Sequence, residues 1–81
     1  MSAEIRMYGA AWCSDCRRAK KVLDDSGVDY DYIDLEAVPT AAHTARTISG
    51  RTSIPVIVFP DGSHLVEPSD ELLREKLAAL A

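Results

Sequence analysis

The two cysteines of the chain, Cys13 and Cys16, are separated by two residues. Cysteine pairs with this spacing carry out thiol–disulfide exchange when they lie at the start of a helix. The apolar residues after Cys16 recur at steps of three and four, at Ala19, Val22 and Leu23. This is the spacing of one helix face. The sequence therefore predicts a redox-active dithiol at the head of a helix.

The two thiols have different expected roles. If the helix begins near Cys13, its sulfur lies where unpaired backbone N–H groups converge, and these groups favour the nucleophilic thiolate. Cys16 lies one turn further along on the same side, within reach of a disulfide after a small adjustment, so it is the candidate resolving thiol. Asp15 stands between them and disfavours a second negative charge. We expect the N–H groups to outweigh this exposed, screened carboxylate.

Metal binding and a structural disulfide are the other interpretations of the pair. A mononuclear zinc site needs four ligands, and only His43 and His64, 21 residues apart, could complete the set. A disulfide that closes so short a loop stabilises a fold little. We therefore favour redox chemistry and predict no metal site.

Hydrophobic patterning divides the rest of the chain into strands and helices. Strands are predicted at residues 4–8, 28–35, 56–59 and 64–66, and helices at residues 13–25, 39–48 and 69–80. The order β-α-β-α-β-β-α predicts an α/β fold whose mixed sheet is parallel where a helix crosses over and antiparallel at the closing hairpin. We expect the last helix to have Ser69 as its N-cap. Its apolar stripe comprises Leu72, Leu73, Leu77 and Leu80, together with the stem of Lys76.

Composition indicates one globular domain that spans residues 1–81. The chain has 47% hydrophobic and 27% charged residues and a net charge of −4, which argues against nucleic acid as a partner. We expect no membrane association, because no apolar run approaches the roughly 20 residues of a membrane span. The start of the chain lacks the features of a signal peptide. The expected location is the cytoplasm, where paired cysteines are more often catalytic or metal-binding than structural.

Four basic residues follow the cysteine pair directly: Arg17, Arg18, Lys20 and Lys21. They form either a solvated helix face or a positive collar beside the thiolate. Further along, the Ile54-Pro55 pair precedes a predicted strand. If its peptide bond is cis, the backbone groups of Ile54 could pair with an extended ligand beside the sulfur. The alternative is a trans proline that merely opens the strand.

Three segments together resemble the glutaredoxin branch of the thioredoxin superfamily: Tyr8 through Cys16, Ser53-Ile54-Pro55, and Asp61-Gly62 through Leu72. The Trp-Cys start and the segment from Phe59 to Ser69 look most like actinobacterial mycoredoxins, which use mycothiol in place of glutathione. The resemblance implies a thioredoxin/glutaredoxin fold, with a four-stranded mixed sheet flanked by three helices. Two departures from glutathione-using glutaredoxins are Glu67-Pro68, in place of a Gly-Gly pair, and Ala10, in place of lysine.

The resemblance also implies site roles. Cys13 would be the nucleophile and Cys16 the second thiol, Ile54-Pro55 a ligand-pairing turn, and Ser69 and Asp70 helix N-terminal groups for the bound thiol. Arg51 could supply the missing cation. Trp12 is a candidate platform for a substrate or partner, or else a half-buried anchor of its loop.

The implied function is that of a monomeric enzyme that reduces mixed disulfides between proteins and a low-molecular-weight thiol. Mycothiol or glutathione would be a co-substrate, with no permanently bound cofactor, and a disulfide reductase is a further candidate partner. Two alternatives are a thioredoxin-reductase-linked redoxin that donates electrons to ribonucleotide reductase, and an iron–sulfur carrier in which two chains share a cluster. A redox-silent binding module of the same fold is a third.

Overall fold

The computed structural model of the protein describes residues 5–80, in which the chain forms four strands and three helices in the predicted order. The strands are β1 (Ile5–Gly9), β2 (Tyr30–Asp34), β3 (Val56–Val58) and β4 (His64–Val66). The helices are α1 (Ser14–Asp25), α2 (Ala41–Ser49) and α3 (Asp70–Leu80). The predicted α/β fold, a mixed four-stranded sheet with three helices, is confirmed. Residue 4, the predicted start of the first strand, lies outside the described residues.

The sheet separates two apolar cores. Successive strand side chains point to opposite faces. On one face, Met7 of β1 and Ile57 of β3 are fully buried against α1 and α3. On the other face, Tyr8 and Val56 pack with the buried alanines of α2. The sheet is therefore covered on both sides. Among residues 5–80, no helix has the length and apolar character needed to cross a membrane.

The direction of β3 differs from the prediction. The strand order is β2-β1-β3-β4, with β1 parallel to β2 but β3 antiparallel to β1. We predicted parallel pairing wherever a helix crosses over. Instead, β2 ends and β3 begins at the same edge of the sheet, because the loop after α2, residues 50–55, brings the chain back to that edge. As a result, β3 begins beside the end of β1, with Val56 opposite Tyr8.

The stripe predicted for α3 is correct except for Leu72. Leu73 and Leu77 are buried and Leu80 is half-buried, whereas Leu72 is 44% exposed. With 3.6 residues per turn, Leu72 lies about 100° around the helix from Leu73, off the buried stripe. Lys76 joins α3 to the β3–β4 hairpin, because its Nζ is 2.7 Å from Asp61 Oδ2 and 5.4 Å from the centroid of the Phe59 ring.

This hairpin contact makes folding pH-dependent. Hydrogen bonds from Lys76 and Ser63 hold the pKa of Asp61 well below its ordinary value of 3.8. A carboxyl group whose pKa is lowered by folding stabilises the fold above its unfolded-state pKa, and the contribution is lost as the pH falls. We expect Asp61→Asn to lower the urea midpoint modestly at about pH 7, and the difference to begin to shrink below about pH 4 and to be clearly smaller at about pH 2.

Asp29→Asn is the matched control, since Asp29 is exposed and makes no ion pair or side-chain hydrogen bond with any of residues 5–80. Its midpoint should follow that of the unmodified protein at both pH values. A deficit of Asp61→Asn that is the same at both pH values would contradict the expected ionic origin of the effect.

Candidate active site

Three segments meet at one edge of the sheet because of the strand directions. β1 ends there and leads to Cys13, β3 begins there after Ile54 and Pro55, and β4 ends there and leads to α3. The register places Tyr8 opposite Val56 and Val56 opposite Val66. The antiparallel β3 is thus what brings the proline turn beside the cysteine pair.

Cys13 is the N-cap of α1. Its backbone is extended (φ −84°, ψ 117°), and its Sγ accepts the N–H of Cys16 at 3.3 Å. The loop before it closes with a Cys13 N–H···O bond to Ala10 of 3.2 Å. A negatively charged acceptor makes a stronger hydrogen bond to a backbone N–H than a neutral one. The half-buried sulfur therefore lies at the start of the helix, next to a backbone N–H donor, and can still be reached.

Cys16 lies behind Cys13 and is buried, at 1% exposure. Burial, and then the hydrogen bond with Cys13, raise the pKa of the Cys16 thiol to about 12. Gly9 makes room for this sulfur, since a Cβ on Gly9 would be 2.9 Å from Cys16 Sγ. Cys16 is therefore a protonated thiol over the physiological pH range. The sequence analysis did not single out Gly9, which lies just beyond the first strand predicted at residues 4–8.

The Ile54–Pro55 peptide bond is cis, so the interpretation of a trans proline is wrong. The carbonyl oxygen of Ile54 is 4.0 Å from Cys13 Sγ, and both residues pack against the same core. The Pro55 carbonyl accepts the N–H of Glu67 at 3.0 Å. Within residues 5–80, the Ile54 N–H has no hydrogen-bond partner. An extended ligand beside the sulfur could use this N–H group.

Ser69 and Asp70 lie at the start of α3. Ser69 Oγ accepts the N–H of Leu72 at 3.1 Å, which is the capping contact predicted for this residue. Asp70 Oδ1 accepts a hydrogen bond from Arg18 Nε at 2.9 Å, and Arg18 Nη1 is 2.9 Å from Asp15 Oδ1. Asp15, whose place in the motif the sequence left unexplained, is therefore ion-paired. This ion pair was predictable from the sequence, because oppositely charged residues three positions apart lie side by side on a helix.

The remaining predicted site residues are exposed. Trp12 is 68% exposed, which excludes the interpretation of a half-buried anchor. Arg51 is exposed in the loop before the proline turn, and its side chain contacts no carboxylate among residues 5–80. Glu67 has a left-handed backbone (φ 48°), a conformation that favours glycine. It stands where glutathione-using glutaredoxins carry a Gly-Gly pair.

Within the range 5–80, no group of three or more His, Cys, Asp or Glu side chains is arranged to hold a metal ion. His43 and His64, the candidate zinc ligands, are both exposed. A mixed four-stranded sheet with a capping cysteine, a buried second thiol and a proline turn beside them defines a thiol–disulfide oxidoreductase of the thioredoxin/glutaredoxin fold.

Comparison with known proteins gives the family. The Glutaredoxin family model matches residues 5–65, and the chain belongs to the glutaredoxin family. Mycoredoxin 1 of Corynebacterium glutamicum is 30% identical over 80 residues, which cover 98% of this chain and 99% of that protein. The glutaredoxin-like protein NrdH of Escherichia coli is 30% identical over 57 residues, which cover 70% of this chain and 69% of that one. The resemblance drawn from the residues is confirmed.

A solved structure agrees with this assignment. The glutaredoxin of Archaeoglobus fulgidus is 31% identical and superposes with a TM-score of 0.84, covering 93% of this chain and 86% of that chain. The chain is thus a glutaredoxin-like redoxin of the thiol–disulfide oxidoreductase type.

Proposed function

We propose that the protein reduces mixed disulfides between proteins and a low-molecular-weight thiol, and that this thiol is mycothiol. The observation that carries the proposal is the arrangement of the two sulfurs. Cys13 Sγ accepts a backbone N–H at 3.3 Å at a reachable helix start, and Cys16 is held behind it at 1% exposure. This arrangement supports a role for Cys13 as the attacking sulfur and for Cys16 as the resolving one.

The reaction consists of two exchanges. The Cys13 thiolate attacks the small-thiol sulfur of the mixed disulfide, which releases the protein thiolate and joins Cys13 to the small thiol. A second molecule of the free thiol then attacks the small-thiol sulfur, forms the small-molecule disulfide and restores the Cys13 thiolate. Alternatively, Cys16 loses its proton and attacks Cys13 Sγ, which releases the small thiol and leaves an intramolecular disulfide for later reduction.

The bound thiol would lie between the proline turn and the start of α3. The Ile54 carbonyl oxygen lies 4.0 Å from Cys13 Sγ, and the N–H of the same residue has no hydrogen-bond partner among residues 5–80. Ser69 and Asp70 present the first N–H groups of α3, although the Asp70 carboxylate itself is occupied by Arg18. We propose Trp12 and Arg51 as the outer contacts, since both side chains are exposed.

Two observations support mycothiol over glutathione. The likeness to Mycoredoxin 1 spans nearly the full length of both chains. Ala10 stands where glutathione-using relatives carry a lysine, so a cation expected to bind a glutathione carboxylate is missing. Glu67 stands where they carry a glycine, so the close approach of the backbone to glutathione is also missing. The proposed setting is the cytoplasm, with the protein acting as a monomer.

A redoxin that receives electrons from thioredoxin reductase is a second candidate function. The similarity to NrdH of Escherichia coli, at 30% identity, favours it. This function requires both cysteines, because the enzyme must cycle between a dithiol and an intramolecular disulfide. The two candidates therefore differ in their dependence on Cys16 and in their reductant.

The test uses one cysteine-containing peptide, prepared separately as a mixed disulfide with mycothiol and as a mixed disulfide with glutathione. Each substrate is given to the reduced protein together with the same small thiol in its free form, which acts as the reductant. A parallel assay supplies thioredoxin reductase and NADPH. We expect reduction of the mycothiol disulfide to be about tenfold faster, the equivalent of ~1.4 kcal/mol of transition-state discrimination. Equal rates with both thiols would remove the assignment of mycothiol. Efficient turnover with thioredoxin reductase alone would favour the redoxin function.

A further inference from the structure

A small groove lies beside the dithiol on the side opposite the proline turn. It has a volume of about 180 Å³ and is lined by Ala11, Cys16, Arg17, Lys20 and Tyr32. Tyr32 belongs to β2 and the proline turn leads into β3, and these strands flank β1 on opposite sides. The groove is therefore separate from the cleft in which we place the small thiol.

The lining of the groove is mostly carbon. Tyr32 contributes its ring, while Arg17 and Lys20 contribute the aliphatic stems that such side chains lay along apolar surfaces. A cavity of about 150 Å³ with apolar walls is large enough to admit benzene. The groove can thus hold one aliphatic or aromatic side chain, whose burial would be favourable.

The rim of the groove is positively charged. Arg17 Nη1 donates a hydrogen bond to the Ala11 carbonyl at 2.6 Å, and no carboxylate lies within 4 Å of this guanidinium among residues 5–80. Lys20 Nζ is 5.8 Å from the centroid of the Tyr32 ring and 3.6 Å from Asp24 Oδ2. An apolar group with a neighbouring carboxylate is complementary to this rim.

The groove is within reach of a polypeptide whose disulfide lies at Cys13. Ala11 precedes Cys13 by two residues, so their Cα atoms are at most about 7 Å apart. Trp12, between them, is 68% exposed and offers a flat apolar surface. A substrate in extended conformation can therefore pass over Trp12 and place a side chain two or three residues from its reactive cysteine in the groove.

We propose that this groove is a docking site for protein substrates that carry an apolar residue next to an acidic one, two or three positions from the reactive cysteine. The inference rests on the proposed disulfide reductase function. The groove would select the protein half of a mixed disulfide. The proline turn and the start of α3 would bind the small-thiol half.

The test uses three peptides that differ only at these two positions, with Leu-Glu, Leu-Lys or Ser-Glu, each joined to 2-mercaptoethanol as a mixed disulfide. We expect kcat/KM to be about two- to fivefold higher for the Leu-Glu peptide than for the Leu-Lys peptide, the scale of one exposed charge pair. It should also be higher than for the Ser-Glu peptide, which has no apolar side chain to bury in the groove. Lys20→Glu should reverse the order of the Leu-Glu and Leu-Lys peptides. Lys21→Glu is the matched control, because Lys21 has the same charge on the same helix, does not line the groove and pairs with Asp25.

Ala11→Leu is a second variant, which fills the groove from an exposed loop position and should remove the preference for leucine over serine. A reversed order of the Leu-Glu and Leu-Lys peptides in Lys20→Glu and a lost preference for leucine in Ala11→Leu, with both preferences kept in Lys21→Glu, support the docking site. Equal rates for all three peptides with the unmodified protein, or equal loss in Lys20→Glu and Lys21→Glu, would overturn it.

A binding measurement separates this inference from the proposed function. Cysteine-free versions of the peptides, with serine at the reactive position, are titrated against the fluorescence of Trp12, the one tryptophan of the chain. The same order of affinities is expected even if no disulfide is reduced, in which case only the reductase function fails. If octanoate binds as tightly as the Leu-Glu peptide and in competition with it, the occupant is a free amphipathic anion and the docking proposal is wrong.

Discussion

Replacement of Cys13 by serine is expected to lower the rate of mixed-disulfide reduction by about 1,000-fold or more, because it removes the proposed nucleophile itself. Cys16→Ser should keep turnover with the small thiol, since a second thiol molecule can release the first from Cys13. The assay is reduction of a mixed disulfide by the free thiol, with both variants at equal concentration. When the mixed disulfide is supplied without free thiol, mass spectrometry should find Cys16→Ser as a stable adduct with one small thiol.

The contrast between the two variants is the informative result. Burial keeps the Cys16 sulfur out of reach of a substrate and raises the pKa of its thiol, so it is not expected to replace Cys13 as the attacking group. Equal loss of activity from both substitutions would contradict the monothiol route. Full activity of Cys13→Ser would overturn the assignment of the nucleophile.

The second large effect is expected at Gly9, where the structure leaves no room for a side chain. A Cβ would lie 2.9 Å from Cys16 Sγ and 3.2 Å from Cys16 Cβ. Real Cβ atoms do not approach other atoms so closely, so Gly9→Ala must displace the strand end or Cys16. We expect a loss of about 1–3 kcal/mol in the free energy of unfolding of the reduced protein, measured with urea, as for other overpacked sites.

The same substitution in a Cys16→Ala background is the matched control. Without the sulfur, the closest contact is gone, and the penalty of Gly9→Ala should fall to well under half. Such a difference is a coupling energy between two residues in contact. An identical penalty in both backgrounds would show that the cost lies elsewhere. Exchange through Cys13 should persist in Gly9→Ala, while closure of the Cys13–Cys16 disulfide should be slowed.

Local signals in the sequence were sufficient for most elements. The start of α1 and its buried face follow from helical periodicity, and the cap of α3 from a serine ahead of two acidic residues. Cys13 and Cys16 share one side of α1 because their spacing is nearly one helical turn. These features depend on neighbours within a few positions, which is the range over which propensity and capping act.

Features that depend on distant contacts were not predictable in the same way. The direction of β3 is set by how the loop after α2 returns to the sheet, and no local pattern specifies this. The Arg18–Asp70 pair joins residues 52 positions apart. The space for Cys16 depends on how the end of β1 packs on α1. The sequence left the proline isomer open, and only the structure, in which it is cis, brings Ile54 to Cys13.

The sulfur of Cys13 has two functions at once, since it caps α1 and is the atom proposed to react. Helix caps contribute about 0.5–2 kcal/mol to stability. A sulfur in a disulfide carries no negative charge and is a weaker acceptor, so the capping hydrogen bond to the Cys16 N–H is expected to weaken when the two cysteines are oxidised. Redox state and the strength of this cap are therefore thermodynamically linked, and the free energy of the restored capping hydrogen bond contributes to the driving force for reduction.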